Sequence, residues 1–263
     1  IATYFLAKTW VLKGYRKICT RRRWSWLRAE HEITTSAYKT GTCTLTKGSA
    51  AVVAGTLSFV STDVWRQLQT TGLPYTIIAT SGGNATLDRP YGGPSGSPTA
   101  KVLDAFAIMP EDFGSPIVAG DPNSDTWLNI WTTEQELNVW DPQRSETGQP
   151  RHLVSQRINA NGRVCYELWP YAHIAYTFPL LYSKTPTEPS PDSFFLGTLR
   201  DRVDLIVLSA LIEACEWPGT GTEKNPYFNL ANADRKKQEL KDELMDLETR
   251  DEEIYMTWLE TVS

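Results

Sequence analysis

The sequence predicts an α+β protein: an α-helical bundle from N- and C-terminal helices, with a large inserted antiparallel β domain that is a small barrel or sandwich. Apolar residues recur at helical spacing in Tyr4–Trp24, which predicts one amphipathic helix. From Ile33 to Tyr91 the chain alternates Thr and Val with polar residues at period two, the pattern of strands. After a Pro-rich stretch, helical patterns return. The predicted segments are 1–32 and 186–263 for the bundle, and 33–185 for the β domain.

Glycine-containing turns place the first strands of the β domain. Gly48 lies between the runs 40–46 and 49–54, and Gly82-Gly83 lies between 75–80 and 84–88. Glycine supplies the positive φ that short hairpin turns need, so we predict a hairpin at each position.

The second half of the β domain has weaker patterns. Residues 101–106 predict a strand, and 109–113 and 132–140 predict short helical turns. Residues 163–170 and 175–183 alternate on either side of Tyr171–His173, so we predict a third hairpin there.

Two helices are predicted after the Pro-rich stretch. Phe194–Trp217 has an apolar face that is too wide for one neighbour, and it stops at Pro218-Gly219. The N-terminal helix is its nearest unpaired partner. Asn225-Pro226 predicts the cap and first residue of the last helix, which runs toward Leu259 with a narrow apolar stripe under a charged surface.

Charge is distributed unevenly along the 263 residues, whose net charge is −5. Residues 1–31 contain eight Lys or Arg and one Glu, a net charge of +7, whereas 232–263 contain ten Asp or Glu and five Lys or Arg, a net charge of −5. A protein that binds nucleic acid over its whole surface is therefore excluded. Opposite charges at the two ends favour pairing within a chain or between copies. No apolar run is long enough to predict a membrane span.

The sequence contains no recognisable catalytic or metal-binding motif. Residues 93–97 miss the last glycine of G-x-S-x-G, and 219–225 lack the phosphate-loop pattern. Acidic pairs such as Glu252-Glu253 are typical of a solvated helix face. Four scattered cysteines predict free, mostly buried thiols, and three distant histidines predict no metal site. We therefore expect no enzyme activity, no cofactor and no metal.

Several strings together resemble the head-to-tail connector, or adaptor, proteins of tailed bacteriophages. These strings span nearly the whole chain, and they are Arg22–Leu27, Tyr38–Val53, Leu87–Gly93, Met109–Gly114, Tyr166–Pro170, Ala175–Tyr182 and the two C-terminal helices around Asn225-Pro226.

The resemblance implies a structural virion protein, assembled in the host cytoplasm, that forms a ring of about twelve copies in the neck of the particle. Its implied partners are other copies of itself, the portal protein, tail or nozzle proteins, and genomic DNA in the channel, with no membrane.

We predict that the basic N-terminal stretch serves an interface. A charged rim beside aromatic anchors is typical of interface hot spots. The candidate interface residues are Arg21, Arg22, Arg23, Trp24, Trp26 and Trp258. Two alternatives stay open: a DNA-binding module that uses the basic helix, and a glycan-binding or hydrolytic tail component that uses some of the ten tryptophans.

Overall fold

The chain divides into two units. A computed structural model of the protein describes residues 2–70, 74–121, 126–158, 162–187, 202–220 and 223–262. Unit 1 comprises Ile1–Ala29 and Ser183–Ser263, and unit 2 comprises Glu30–Tyr182.

Four α-helices lie in the described residues, and three of them belong to unit 1. They are α1 Ala2–Thr20, α2 Glu134–Trp140, α3 Val203–Glu216 and α4 Leu230–Val262. One turn of 3-10 helix, Ser25–Leu27, follows α1.

Most of the remaining regular structure is β. The strands are β1 Arg28–Thr34, β2 Lys39–Leu45, β3 Ala51–Ala54, β4 Gln67–Gln69, β5 Tyr75–Ser81, β6 Asn84–Leu87, β7 Thr99–Leu103, β8 Phe106–Ile108, β9 Phe113–Asp121, β10 Thr126–Trp127, β11 Thr147–Gly148, β12 His152–Ile158, β13 Val164–Trp169, β14 Tyr171–Ala172, β15 Thr177–Lys184, β16 Gly219–Thr220 and β17 Glu223–Lys224.

The predicted fold class is wrong. It described the large inserted β domain as one small antiparallel barrel or sandwich. The described chain instead contains a closed six-stranded antiparallel barrel in the order β2-β3-β6-β5-β4-β7, together with four open sheets, so the α+β class with a β domain fits only in part. Some pairs in these sheets, such as β1 with β15 and β8 with β13, join segments that are far apart in sequence. The local spacing of apolar residues carries no information about such distant pairing.

The barrel forms where the glycine turns were predicted. Gly48 has a φ of +81°, and Gly82 and Gly83 have φ values of +57° and +84°, so each turn uses a conformation that is costly for other residues. Strand β2 pairs with β3 on one side and with β7 on the other, which closes the cylinder. Inward-facing side chains such as Cys43, Leu68 and Val102 fill its core.

The third predicted hairpin is wrong. Strand β13 pairs with β12 and β8 in a three-stranded sheet, whereas β15 lies between β1 and β9 in a four-stranded sheet. Both edges of β13 are therefore occupied. The segment between them, β14, pairs in parallel with β11 and not within a turn.

The strand predicted at 101–106 is two strands in different sheets. Strand β7 belongs to the barrel, while β8 pairs with β13. The break falls at Asp104, whose carboxylate accepts the backbone N–H of Ser36 at 2.7 Å. Residues 109–113 form a turn that leads into β9 and not a helix, because Phe113 already begins that strand.

The helix predicted at 132–140 is present as α2. Thr133 caps it: the Thr133 hydroxyl accepts the Glu136 N–H, while the Glu136 carboxylate accepts the Thr133 N–H. This reciprocal capping box is readable in the sequence.

The predicted start of the last helix is wrong. Helix α4 begins at Leu230, and the Asn229 side chain accepts the N–H of Asn232 at 3.0 Å, as an N-cap does. Asn225 instead donates its amide to the carbonyl oxygens of Ala214 and Trp217 at 2.6 and 2.7 Å, and so satisfies the end of α3. Residues 194–201 of the predicted preceding helix lie outside the described residues.

The helical core of unit 1 lies where α3 contacts both α1 and α4. It contains Tyr15, Ile18, Cys19, Trp24, Leu27, Leu205, Ile206, Leu244 and Leu247. All four cysteines of the chain are free and buried, as predicted.

Helices α1 and α3 approach closely at Gly14. A Cβ atom at this position would lie 2.9 Å from both Cβ and Oγ of Ser209, which is 3% exposed. Residue 14 therefore has to be glycine for these helices to keep their separation.

We expect Gly14→Ala to lower the free energy of unfolding by about 1–2 kcal/mol through overpacking. Helix propensity alone would raise it by about 1 kcal/mol, so the sign of the change identifies the close contact. Chemical denaturation measures it. The control is Gly96→Ala, where an added Cβ meets nothing within 4 Å. A stabilised Gly14→Ala protein would contradict the described packing.

Candidate interaction surface

The basic stretch at the N-terminus is paired with acidic residues of the same chain. Lys13 and Lys17, one turn apart on α1, both contact the carboxylate of Glu213 on α3. The Glu213 side chain is 9% exposed, so two cations surround one nearly buried anion.

The arginine cluster continues this pairing with α4. Arg21 Nε donates to Glu248 at 2.6 Å, and Arg22 donates to Glu252 at 3.2 Å and to the Glu248 carbonyl oxygen at 3.3 Å. The charge asymmetry of the sequence is therefore used at least in part within one chain. Arg23 is exposed.

A buried carboxylate fixes the segment that follows the cluster. Asp251 on α4 is 3% exposed, and it accepts the Ser25 N–H at 3.1 Å as well as the Ser25 hydroxyl. Its contacts hold the 3-10 turn against α4.

Trp24 belongs to the core of unit 1. It is completely buried, its indole N–H donates to the Ile18 carbonyl at 2.8 Å, and its ring stacks on Trp26 with centroids 4.4 Å apart. Its predicted use as an exposed interface anchor does not fit this position, because a fully covered ring offers no surface to a partner. Trp258 lies in α4, and its side chain is outside the described residues.

Helix α3 carries an apolar stripe that the described chain leaves uncovered. Val203, Val207 and Leu211 are 39%, 49% and 42% exposed, and their four-residue spacing places them in one line along the helix. The opposite side is buried through Leu205, Ile206 and Ile212. A helix with so wide an apolar face is typical of one that neighbours cover over most of its surface.

A second exposed apolar group lies between α3 and α4. Tyr227, Phe228 and Leu230 are 69%, 44% and 56% exposed. Asn225 ties this segment to the end of α3 through its amide hydrogen bonds. The great width of the α3 face was readable in the sequence, but which residues stay exposed was not.

Unit 2 has an aromatic patch of its own. The rings of Trp140, His152 and Trp169 lie with centroids 5.4–5.7 Å apart, and Thr132 Oγ1 lies 2.7 Å from His152 Nδ1. Burial, followed by the charge of nearby Arg151, lowers the pKa of His152. Trp140 and Trp131 are 50% and 77% exposed, so unit 2 presents exposed aromatic rings of the kind that the glycan-binding alternative requires.

The two segments that resemble catalytic motifs, 93–97 and 219–225, contain residues that take part in backbone and side-chain hydrogen bonds of the fold. The Ser95 hydroxyl accepts the Lys47 N–H at 2.9 Å, and Ser97 shares a hydrogen bond with Thr44. Gly219–Thr220 and Glu223–Lys224 form the short antiparallel pair β16 and β17. Among the described residues, no group of three metal-ligating side chains comes together and no helix has the length and apolarity to cross a membrane.

Comparison of the sequence with models of known protein families finds no match, and comparison with curated proteins finds none.

The Glu213 contacts predict a dependence of stability on pH. Burial by itself would raise the pKa of Glu213, but the hydrogen bonds from Lys13 and Lys17 outweigh burial and lower it below the ordinary value of 4.5. A carboxyl whose pKa is lower in the folded state stabilises the fold above its unfolded pKa, and the effect disappears as pH falls through the folded value.

We expect Glu213→Gln to lower the free energy of unfolding by about 2 kcal/mol at pH 7. The difference from the unaltered protein should shrink progressively below about pH 4.5. Denaturant titrations from pH 3 to 7 measure it. Glu239→Gln is the control, since Glu239 is exposed on α4. A difference that is constant with pH would show that the two lysine contacts do not stabilise the charged form.

Proposed function

We propose that the protein is a non-enzymatic structural component of a bacteriophage virion, a ring-forming adaptor that joins the portal to the tail around the DNA channel. The resemblance to head-to-tail connectors supports this proposal. The observation that carries it is the uncovered stripe of α3, because a second copy of the chain would bury it.

A ring requires a heterologous contact, in which one patch of each copy meets a different patch of the next. Unit 1 offers two distinct apolar groups, the α3 stripe and the segment at Tyr227, Phe228 and Leu230. We assign them to the two sides of the contact between copies. Portal and tail proteins would then bind the assembled ring.

The pairing of Arg21 and Arg22 with α4 disfavours the DNA-binding alternative. Cations that already hold carboxylates release fewer counterions on binding a phosphate backbone, and counterion release supplies most of non-specific DNA affinity.

Val207→Lys should convert the ring to monomers, since a lysine at the centre of the stripe would have to be desolvated at the contact. Size-exclusion chromatography with multi-angle light scattering of the purified protein measures this, with the monomer at 29.6 kDa. The matched control is Val139→Lys on α2, where Val139 is 80% exposed and lies outside unit 1. A protein that is monomeric without any substitution, or rings that survive Val207→Lys, would contradict the proposal.

A joint change of Arg21, Arg22 and Arg23 to Ser separates the two roles of the cluster. Exposed ion pairs contribute little, so the free energy of unfolding should fall by only about 1 kcal/mol. The affinity of the protein for duplex DNA, measured by fluorescence anisotropy at several salt concentrations, should be the same with and without this change. A weaker affinity with a flatter salt dependence would instead support the DNA-binding module.

A further inference from the structure

Two sheets of unit 2 end in strands with one open edge. Strand β1 is the outer strand of the sheet β1-β15-β9-β10, and β8 is the outer strand of the sheet β12-β13-β8. Within the described part of the chain, neither strand has a neighbour on its second side. Open edges present unpaired backbone groups and are the usual template for an added strand.

The backbone of β8 shows which residues face its open edge. The carbonyl of Ala105 accepts the Leu168 N–H, the N–H of Met109 donates to Val164, and Ala107 lies opposite Tyr166. Because hydrogen-bonding direction alternates along a strand, the backbone groups of Phe106 and Ile108 point away from β13.

The same alternation applies to β1. Thr35, just beyond its end, donates its N–H to the Tyr176 carbonyl at 2.8 Å, on the side of β15. The N–H groups of Glu32 and Thr34 therefore point to the opposite side.

These two edges line one cavity of about 300 Å³. Consecutive residues of each strand reach it, from His31 to Thr34 and from Phe106 to Ile108. Side chains of a strand alternate between faces, so a cavity that touches every residue in a row lies along an edge and not over a face.

The remaining walls determine the charge of the cavity. Arg66 is 7% exposed and is already engaged: it donates to the buried carboxylate of Asp63 at 3.0 Å and to the carbonyl of Ala37 at 2.9 Å. Glu32 is exposed and Asp104 is half-buried. Glu32 and Asp104 supply two carboxylates to the lining, and its one guanidinium, Arg66, is shared with Asp63, so the carboxylates leave the cavity a net negative charge. Burial raises the pKa of Asp104, although the Ser36 N–H and the charge of Arg66 act in the opposite direction.

We propose that this cavity binds an extended segment of a partner protein by β-strand addition between β1 and β8, with a Lys or Arg side chain of the segment directed at Glu32 and Asp104. The added strand would join the two sheets into one. Main-chain hydrogen bonds would supply the affinity, and the acidic wall would select a basic segment. The proposal does not depend on ring formation through α3.

The test is to select, from a library of random linear nonapeptides, those that bind the immobilised full-length protein. We expect enriched peptides to alternate β-branched residues with Lys or Arg. The affinity of the best synthetic peptide is measured by fluorescence anisotropy. It should fall at least tenfold when alternate backbone N–H groups of the peptide are methylated. This measurement uses the unaltered protein, so its result does not depend on the folding of a variant.

Substitutions then locate the site. Thr34→Pro removes one edge N–H and should weaken binding at least tenfold, whereas Thr34→Ala keeps that N–H and should bind normally. Glu32→Lys should weaken a basic peptide, and Glu30→Lys, which makes the same change outside the cavity, should not. Failure to select any peptide, selection of acidic peptides, or equal binding by Thr34→Pro would overturn the proposal. The proposal would also be overturned if the protein bound no peptide but associated with itself, and Thr34→Pro abolished that self-association.

Discussion

The requirement to cover a helix with a very wide apolar face organises unit 1. Helix α3 meets α1 on one side and α4 on another, and the contact with α1 is close enough that position 14 has no room for a side chain. Within the described residues, these two neighbours leave Val203, Val207 and Leu211 39–49% exposed. Apolar surface of this kind favours association, so the same property that builds the unit also predicts its contact with another copy.

Charge acts around this core in a supporting role. Glu213 on α3 pairs with both Lys13 and Lys17. Arg21 and Arg22 pair with acidic residues of α4, so most of these basic side chains contact carboxylates of the same chain. Exposed pairs of this type contribute little stability each, but they favour one arrangement of the helices over others. The nearly buried Glu213 is the member of this set on which pH should act.

The binding site proposed in unit 2 uses strand edges and not helix faces. The barrel is closed, because β2 pairs with β7. Within the described residues, the sheets outside the barrel have open edges at β1 and β8. A protein that assembles by both means would use side-chain burial for copies of itself and backbone pairing for a segment of another protein.

The sequence by itself determined the features that depend on neighbours within a few residues: the positive-φ turn at Gly48, the glycine pair that joins β5 to β6, the capping box of α2, and the helical period of α1. Tertiary structure decided the rest. Strand β13 forms no hairpin with β15 because β12 and β8 occupy its edges, Asn225 completes the end of α3 instead of starting α4, and Trp24 fills a core instead of facing a partner. In each case distant segments compete for the same strand edge, carbonyl group or apolar surface. The free energy gained from the tertiary contact exceeds the conformational preference of the short segment, so the local sequence does not decide the result.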